Sequence, residues 1–211
     1  LFRSWDDLQS VQAKLTDINV TNSGAMNITA AQVTADASAI AKLSGNYTLA
    51  VTDSAVVYAA GMQNNPKVSS IAIEDTAYNI ANAFTSLSVM SKITSMAAKD
   101  NINVALTMSA NQLSQSYAAA LAKISTGYTV DVTGASVANA TNLQSLSTVN
   151  SFAISDTASN IASAISSLNG MSKLSSIYAS DAKEIYLSQA DQNANPLALS
   201  KISVENIIQT I

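Results

Sequence analysis

The sequence predicts an α/β protein: an open right-handed solenoid of strand–helix rungs, leucine-rich-repeat-like, with a parallel sheet on one side and short hairpin insertions. Three observations predict it. Residues 71–92, IAIEDTAYNIANAFTSLSVMSK, recur 81 positions later as residues 152–173, FAISDTASNIASAISSLNGMSK. Aligned at that offset, residues 42–92 and 123–173 agree at about half of their positions, so the chain is a repeat before it is anything else. Within the 81-residue unit lies a shorter period, Leu49 to Ile71 and Ile71 to Ile93 at 22 residues each, then 37 to Val130. Each unit is therefore three rungs, the third carrying an insertion. The leucine-rich-repeat consensus itself is absent.

The units run 1–41 (partial, with an N-terminal helix), 42–122, 123–203 and 204–211 (the start of a further rung), as one single repeat array. Residues 1–15, LFRSWDDLQSVQAKL, predict an amphipathic helix with Trp5, Leu8, Val11 and Leu15 on one face. Ser4 followed by Asp7 predicts a capping-box-like start. Trp5 has no echo, since Ala83 holds its place, and it reads as a core or end-cap aromatic. Residues 16–29, with Asn22-Ser23-Gly24 as turn signal, predict a hairpin, and 93–107 and 174–188 are its copies.

Residues 30–42 predict a helix with Val33, Ala37, Ile40 and Ala41 inward, echoed at 110–123 and 191–201. In the last copy Asn195-Pro196 marks a helix entry, because Pro is tolerated in a first turn. Residues 46–53, NYTLAVTD, alternate as a strand does, with Tyr47, Leu49 and Val51 inward. A short helix follows, ending at Gly61 or Asn64-Asn65. In 71–92 an apolar pair, Ile71 and Ile73, precedes a polar corner and an amphipathic helix. Residues 202–211 read as another strand beginning. Strands joined by helices pair in parallel. Each rung's apolar face is then covered by its neighbours.

Composition narrows function. Hydrophobic residues make up 48% and charged residues 11% of the 211, with a net charge of −4. The polar surface is thus mostly Ser, Thr, Asn and Gln, well below the usual ~25% charge. No Lys/Arg cluster offers a nucleic-acid footprint. No apolar run approaches the ~18–20 residues of a membrane span. Cys and His are both zero, which removes disulfides, thiolate metal sites and the commonest general base. The chain begins at Leu1 without Met or a leader-like segment, and is read as a piece of something longer.

The sharpest local signal is the corner Asp-Thr-Ala-x-Asn-Ile-Ala at 75–81 and 156–162. Thr76 and Thr157 read as N-caps, Asn79 and Asn160 as capping-box imitators, and Asp75 and Asp156 as charge at the positive end of a helix. The competing reading is a ladder of corner carboxylates for Ca²⁺, with Asp53 and Asp75 on successive corners. Gly134 in place of Asp53 in the echo weighs against it, as does the six to eight oxygens that Ca²⁺ takes. No metal, cofactor or catalytic residue is assigned. Ser91-Lys92, Ser172-Lys173 and Ser200-Lys201 are the remaining Ser–Lys pairs, and they read as helix ends where Lys meets the C-terminal dipole. Among the seven tyrosines, Tyr47 and Tyr128 are placed inward. Tyr78, replaced by Ser159 in the echo, is placed outward. Exposed tyrosines offer a possible face for polysaccharide.

The phrases DTAYNIANAFTSL, DTASNIASAISSL, ADASAIAKLS and YTVDVTGAS resemble repeats of very large exported bacterial proteins. Those are surface-layer, adhesin-like or matrix proteins, often associated with type I secretion. The resemblance covers nearly the whole chain after Leu15. It implies an extracellular or cell-surface location, a structural or adhesive role in which copies self-associate, and no active site. The expectation is a structural segment of a self-assembling surface layer, filament or adhesin stalk, not an enzyme. A polysaccharide- or Ca²⁺-binding module is the alternative.

Overall fold

The computed structural model describes residues 4–21, 24–203 and 208–210. It is a mixed α/β structure with parallel sheets, helices alternating with strands. The chain divides into two compact units, Leu1–Val104 with Ala119–Gly127, and Ala105–Ala118 with Tyr128–Ile211. Leu1 to Arg3, Asn22-Ser23 of the expected turn, and 204–207 and 211 of the expected last strand lie outside the described residues.

The first unit opens with α1 (Trp5–Val11), β1 (Ile18–Val20), β2 (Ala25–Thr29), α2 (Ala30–Ala35) and α3 (Ala37–Ile40). It continues through β3 (Leu43–Gly45), β4 (Thr48–Ser54), α4 (Val56–Asn64), β5 (Val68–Asp75), α5 (Ala77–Ser88) and β6 (Ile93–Ala98). β2, β4, β5 and β6 form one sheet in that order, every pair parallel. Inward strand positions are closed to solvent as the alternation requires: Tyr47, Leu49, Val51, Ile71 and Ile73 are all buried. α5 turns Ile80, Phe84 and Leu87 into the same core.

The second unit contains most of β7 (Val104–Ser109), and α6 (Ala118–Leu121) leads back into the first. The second unit resumes with β8 (Tyr128–Ala135), α7 (Ala140–Ser145), β9 (Val149–Asp156), α8 (Ala158–Asn169) and β10 (Leu174–Ala179). β11 (Ile185–Leu187), α9 (Gln189–Ala194), α10 (Pro196–Leu199) and β12 (Ile208–Thr210) follow. β7, β8, β9 and β10 make the second four-stranded sheet. β11 pairs with β12 in parallel, Ile185 beside Ile208, in the register by which β2 pairs with β4, Met26 beside Leu49. Pro196 stands at the first position of α10, as expected of a helix entry.

The expected hairpins are not formed. β1 and β2, adjacent in sequence, lie in different sheets: β1 pairs in parallel with β3, and β2 with β4. The same holds at the other end, where β10 pairs with β9 and bridges to Ile202 while β11 pairs with β12. Two strands separated by a turn look alike in sequence whether they fold on each other or run on as two segments of one rung. Here each segment finds a parallel partner in the segment after the next helix. The described strands accordingly fall into four sheets, where one continuous sheet was expected.

The helix expected over 30–42 breaks at Asp36, whose φ of −100° and ψ of 20° leave the helical region. Its echo contains one residue more: Gln32 maps to Gln112 at 80 residues but Ala39 to Ala120 at 81. The surplus residue is absorbed in a π-helical turn, Gln112–Ser116, the single-turn form in which π-helix mostly occurs. At the third copy the break is at Asn195. The position is buried each time, by Asp36, Tyr117 and Asn195.

Register slips recur at fixed places. Leu49 faces Val68 but Ala50 faces Ser70, so Ser69 is surplus, and Thr94 and Ser175 are surplus in the same way. Each bulged hydroxyl donates to a carbonyl of the preceding strand: Ser69 to Leu49 at 3.2 Å, Thr94 to Ile71 at 3.2 Å, Ser175 to Phe152 at 2.9 Å. A second slip sits at the ends of β4 and β8, where Asp53 (φ 52°) and Gly134 (φ 63°) occupy one left-handed position. Gly takes that conformation freely and Asp tolerates it.

Candidate functional site

The corner aspartates are joints between rungs. In α4 the N-cap residue is Ala55, which has no side chain to offer, and the Val56 N–H donates to Asp75 Oδ2 at the end of the next strand, 2.9 Å away. The echo is the same: Ser136, the N-cap of the 3-10 turn Val137–Asn139 that leads into α7, makes no capping bond, and the Val137 N–H donates to Asp156 Oδ2 at 2.9 Å. One rung further, the Ala77 N–H at the start of α5 donates to Asp100, at 3.2 Å to Oδ2, and the Ala158 N–H of α8 to Asp181 Oδ1 at 3.1 Å. Each of these four helix starts is thus closed by a carboxylate from the following rung, where the helix dipole favours negative charge.

Thr76 and Thr157 are N-caps as expected, accepting the Asn79 and Asn160 N–H groups at 3.2 and 3.3 Å. The capping-box imitation needs correction. The Asn79 and Asn160 amides do not reach back to the cap N–H. They donate to Asp75 Oδ1 at 2.8 Å and Asp156 Oδ1 at 2.7 Å, and those same oxygens accept the Thr76 and Thr157 N–H groups at 2.8 Å. The aspartate next to the cap takes that N–H, and the Asn amide pins the carboxylate. Burial pushes the Asp75 carboxyl up, but the bonds from Asn79, Val56 and Thr76 and the charge of Lys99 outweigh it and hold it below its ordinary value. Asp156 is held low in the same way, against burial, by Asn160, Val137 and Thr157.

The helix C-termini are joined as well. Gln63 accepts the Lys92 N–H at 3.1 Å and donates to Ser91 Oγ at 3.1 Å. Gln144 does the same with Lys173 and Ser172, at 3.1 and 2.9 Å. Lys92 Nζ donates to the carbonyl of Asn65, the residue after α4, at 2.7 Å, and Lys173 Nζ to that of Leu146, after α7. These lysines meet helix C-terminal carbonyls as expected, but those of the preceding rung's helix. The Ser–Lys pairs at 91–92 and 172–173 are therefore committed to structure.

The two aspartates of the Ca²⁺ reading have other occupations. Asp53 pairs with Lys99, and both oxygens of Asp75 accept N–H donors. Among the described residues no three or more acidic side chains are grouped to hold a metal ion.

Capping boxes that the sequence reading missed stand where the outer strands turn into helices. Thr29 accepts the Gln32 N–H at 3.2 Å, and Gln32 Oε1 accepts the Thr29 N–H at 3.1 Å. Ser109 and Gln112 repeat the pair. The Thr/Ser-x-x-Gln spacing was present to be read. Trp5 serves at an edge: its Nε1–H donates to the Asn27 carbonyl of β2, the outermost strand of its sheet, at 3.1 Å. That agrees with the end-cap reading and explains why Trp5 has no echo.

The tyrosines divide. Tyr47 is buried beneath Lys67 Nζ, 4.3 Å from the ring centroid, Tyr117 is buried and Tyr128 half-buried. Tyr78 is 75% exposed, as the sequence predicts, and Tyr58, Tyr178 and Tyr186 are exposed too. Tyr186 borders a groove of about 300 Å³ between α8 and the turn before β11. Ser159, Ser163, Asp181, Lys183 and Glu184 complete its polar lining over two alanines. Tyr186 Oη donates to Glu184 Oε2 at 2.8 Å, and this bond and charge raise the phenol above its ordinary value.

Among the described residues no helix is long and apolar enough to cross a membrane. No family model, no curated protein and no solved structure matches the chain.

Proposed function

We propose that this chain is a structural and interaction segment of an extracellular bacterial surface protein, built as an open right-handed α/β solenoid that serves as spacer, stalk or self-assembling lattice element. One observation carries the reading: the polar side chains that join one rung to the next persist between copies. Asp75 and Asp156, Asp100 and Asp181, Gln63 and Gln144, and Lys92 and Lys173 all bond the neighbouring rung. Several outward residues of the same stretch change: Glu74 becomes Ser155, Tyr78 becomes Ser159 and Asn82 becomes Ser163. Selection for a rung that stacks is what a spacer or lattice element requires. The resemblance to exported repeats and the low-charge Ser/Thr/Asn surface support the extracellular placement.

Solution scattering tests the shape. A compact globule of this length has a radius of gyration of ~17 Å; a solenoid exceeds it, and a value at the compact figure overturns that part. Sedimentation velocity across a wide concentration range tests assembly. Concentration-dependent ordered oligomers are expected, and a strictly monomeric chain removes the self-assembly reading.

A further inference from the structure

Apart from Asp181, the polar side chains of the groove beside α8 make no bond between rungs that the copies share. One unit earlier its positions are held by Tyr78, Asn82, Asp100, Ile102, Asn103 and Ala105, where the groove holds Ser159, Ser163, Asp181, Lys183, Glu184 and Tyr186. Only the aspartate persists, and it caps a helix in both copies. The aromatic ring has moved from the helix to the strand, and serines stand where the helix carried Tyr and Asn.

We propose that this groove binds a neutral saccharide, with a sugar face on the Tyr186 ring and hydroxyls on Glu184, Lys183 and the two serines. Its volume of about 300 Å³ is at the lower end for a small-molecule site, which suits one or two sugar rings. Tyr186 is 52% exposed, and its bond to Glu184 fixes the ring. A tyrosine face is apolar with a polar tip, as a sugar's C–H face with rimming hydroxyls needs. Charge selects the ligand. An anion meets two carboxylates against one ammonium. A cation meets Lys183, and Asp181 Oδ1 already accepts the Ala158 and Lys183 N–H groups. A neutral polyol supplies donors to the carboxylates and an acceptor to Lys183. Negatively charged glycans are disfavoured by the same count.

The test is an amide NMR titration of the full chain with cellohexaose, chitohexaose and laminarihexaose. At least one is expected to shift resonances confined to 158–163 and 181–186. Tyr186→Ala is expected to weaken that binding about tenfold, and Ser159→Tyr to abolish it by filling the groove. Both substitutions install the residue that the earlier copy carries, and an unchanged urea midpoint verifies folding. Absence of shifts there with all three sugars at about 10 mM, or binding indifferent to both substitutions, overturns the proposal. Either result leaves the self-association reading, judged by sedimentation, where it stood.

Discussion

The Asp75 carboxylate accepts the Val56 N–H at 2.9 Å across 19 residues of chain, and the Asp156 carboxylate accepts the Val137 N–H at the same distance and separation. Each bond closes a helix start that has no local cap. Replacing the aspartate removes three accepted hydrogen bonds at once. Asp75→Ala and Asp156→Ala are each expected to lower stability by ~1–2 kcal/mol, the range of a lost charged cap. Asp75→Asn should lose less, because its amide oxygen still accepts. Urea unfolding measures all three; an alanine variant with the wild-type midpoint refutes the joint.

Acid should weaken the same joints. The folded-state carboxyls of Asp75 and Asp156 lie below their ordinary value, so the unfolded chain takes up their protons first as pH falls. Their contribution is fully present above the ordinary carboxyl range, ~3.9, and is lost as pH drops through it toward the lower folded values. The double variant Asp75→Asn with Asp156→Asn should show a shallower acid limb in a pH series of melting temperatures. An unchanged slope below pH ~4 counts against the assignment.

Asp36 has the opposite sign. It is buried, its Oδ2 has no hydrogen-bond partner, and burial and then the Asp6 charge push its carboxyl up. As pH rises through the ordinary range the unfolded chain releases this proton first, and stability falls. The third copy holds Asn195 here, with its amide donating to the Asp191 carbonyl at 2.7 Å. Asp36→Asn is therefore expected to stabilise the chain at pH 7 by ~1 kcal/mol, the scale of an unsatisfied buried group. The gain should vanish where the wild-type carboxyl is already protonated. A variant destabilised at neutral pH would show that the charge is needed.

What the sequence made legible was whatever repeats locally. Leu49 with Val51 and Ile71 with Ile73 announced strands by alternation, Ile80 and Leu87 announced the inward face of a helix, and Thr76 announced its start. The joints were not legible because each links residues 19 to 29 positions apart, and their meeting depends on how rungs stack. One signal was available: Gln63 and Gln144 are identical polar residues 81 apart at helix ends, where an exposed Gln has no reason to persist. The pairing of the expected hairpin strands was not legible either, because turn signals between alternating stretches say where a chain bends, not which strand it bends toward. Gly134 in place of Asp53 weighs against a Ca²⁺ ladder and also has a backbone reason. It marks a left-handed backbone position that both residues serve.

A left-handed position also recurs at a second turn, between the outer strands. Asn101 and Ala182 stand 81 residues apart with φ of 55° and 53°. Asn tolerates the left-handed region, whereas an alanine Cβ crowds the following carbonyl at a cost of roughly 1–2 kcal/mol. Ala182→Gly relieves that crowding but loosens the unfolded chain, which offsets part of the gain. A net stabilisation of ~0.5–1 kcal/mol is expected. Ala182→Asn, which copies the earlier unit, should also stabilise. Gly45→Ala supplies the contrast. Its φ is 89°, and an added Cβ would stand 2.5 Å from the Val20 carbonyl oxygen and 2.7 Å from Asn19 Oδ1. The backbone of β1 would have to move, so a loss of more than ~1 kcal/mol is expected. Urea midpoints of the three variants, measured together, should fall on opposite sides of the wild type. If Ala182→Gly destabilises, the turn is held by something other than its backbone conformation.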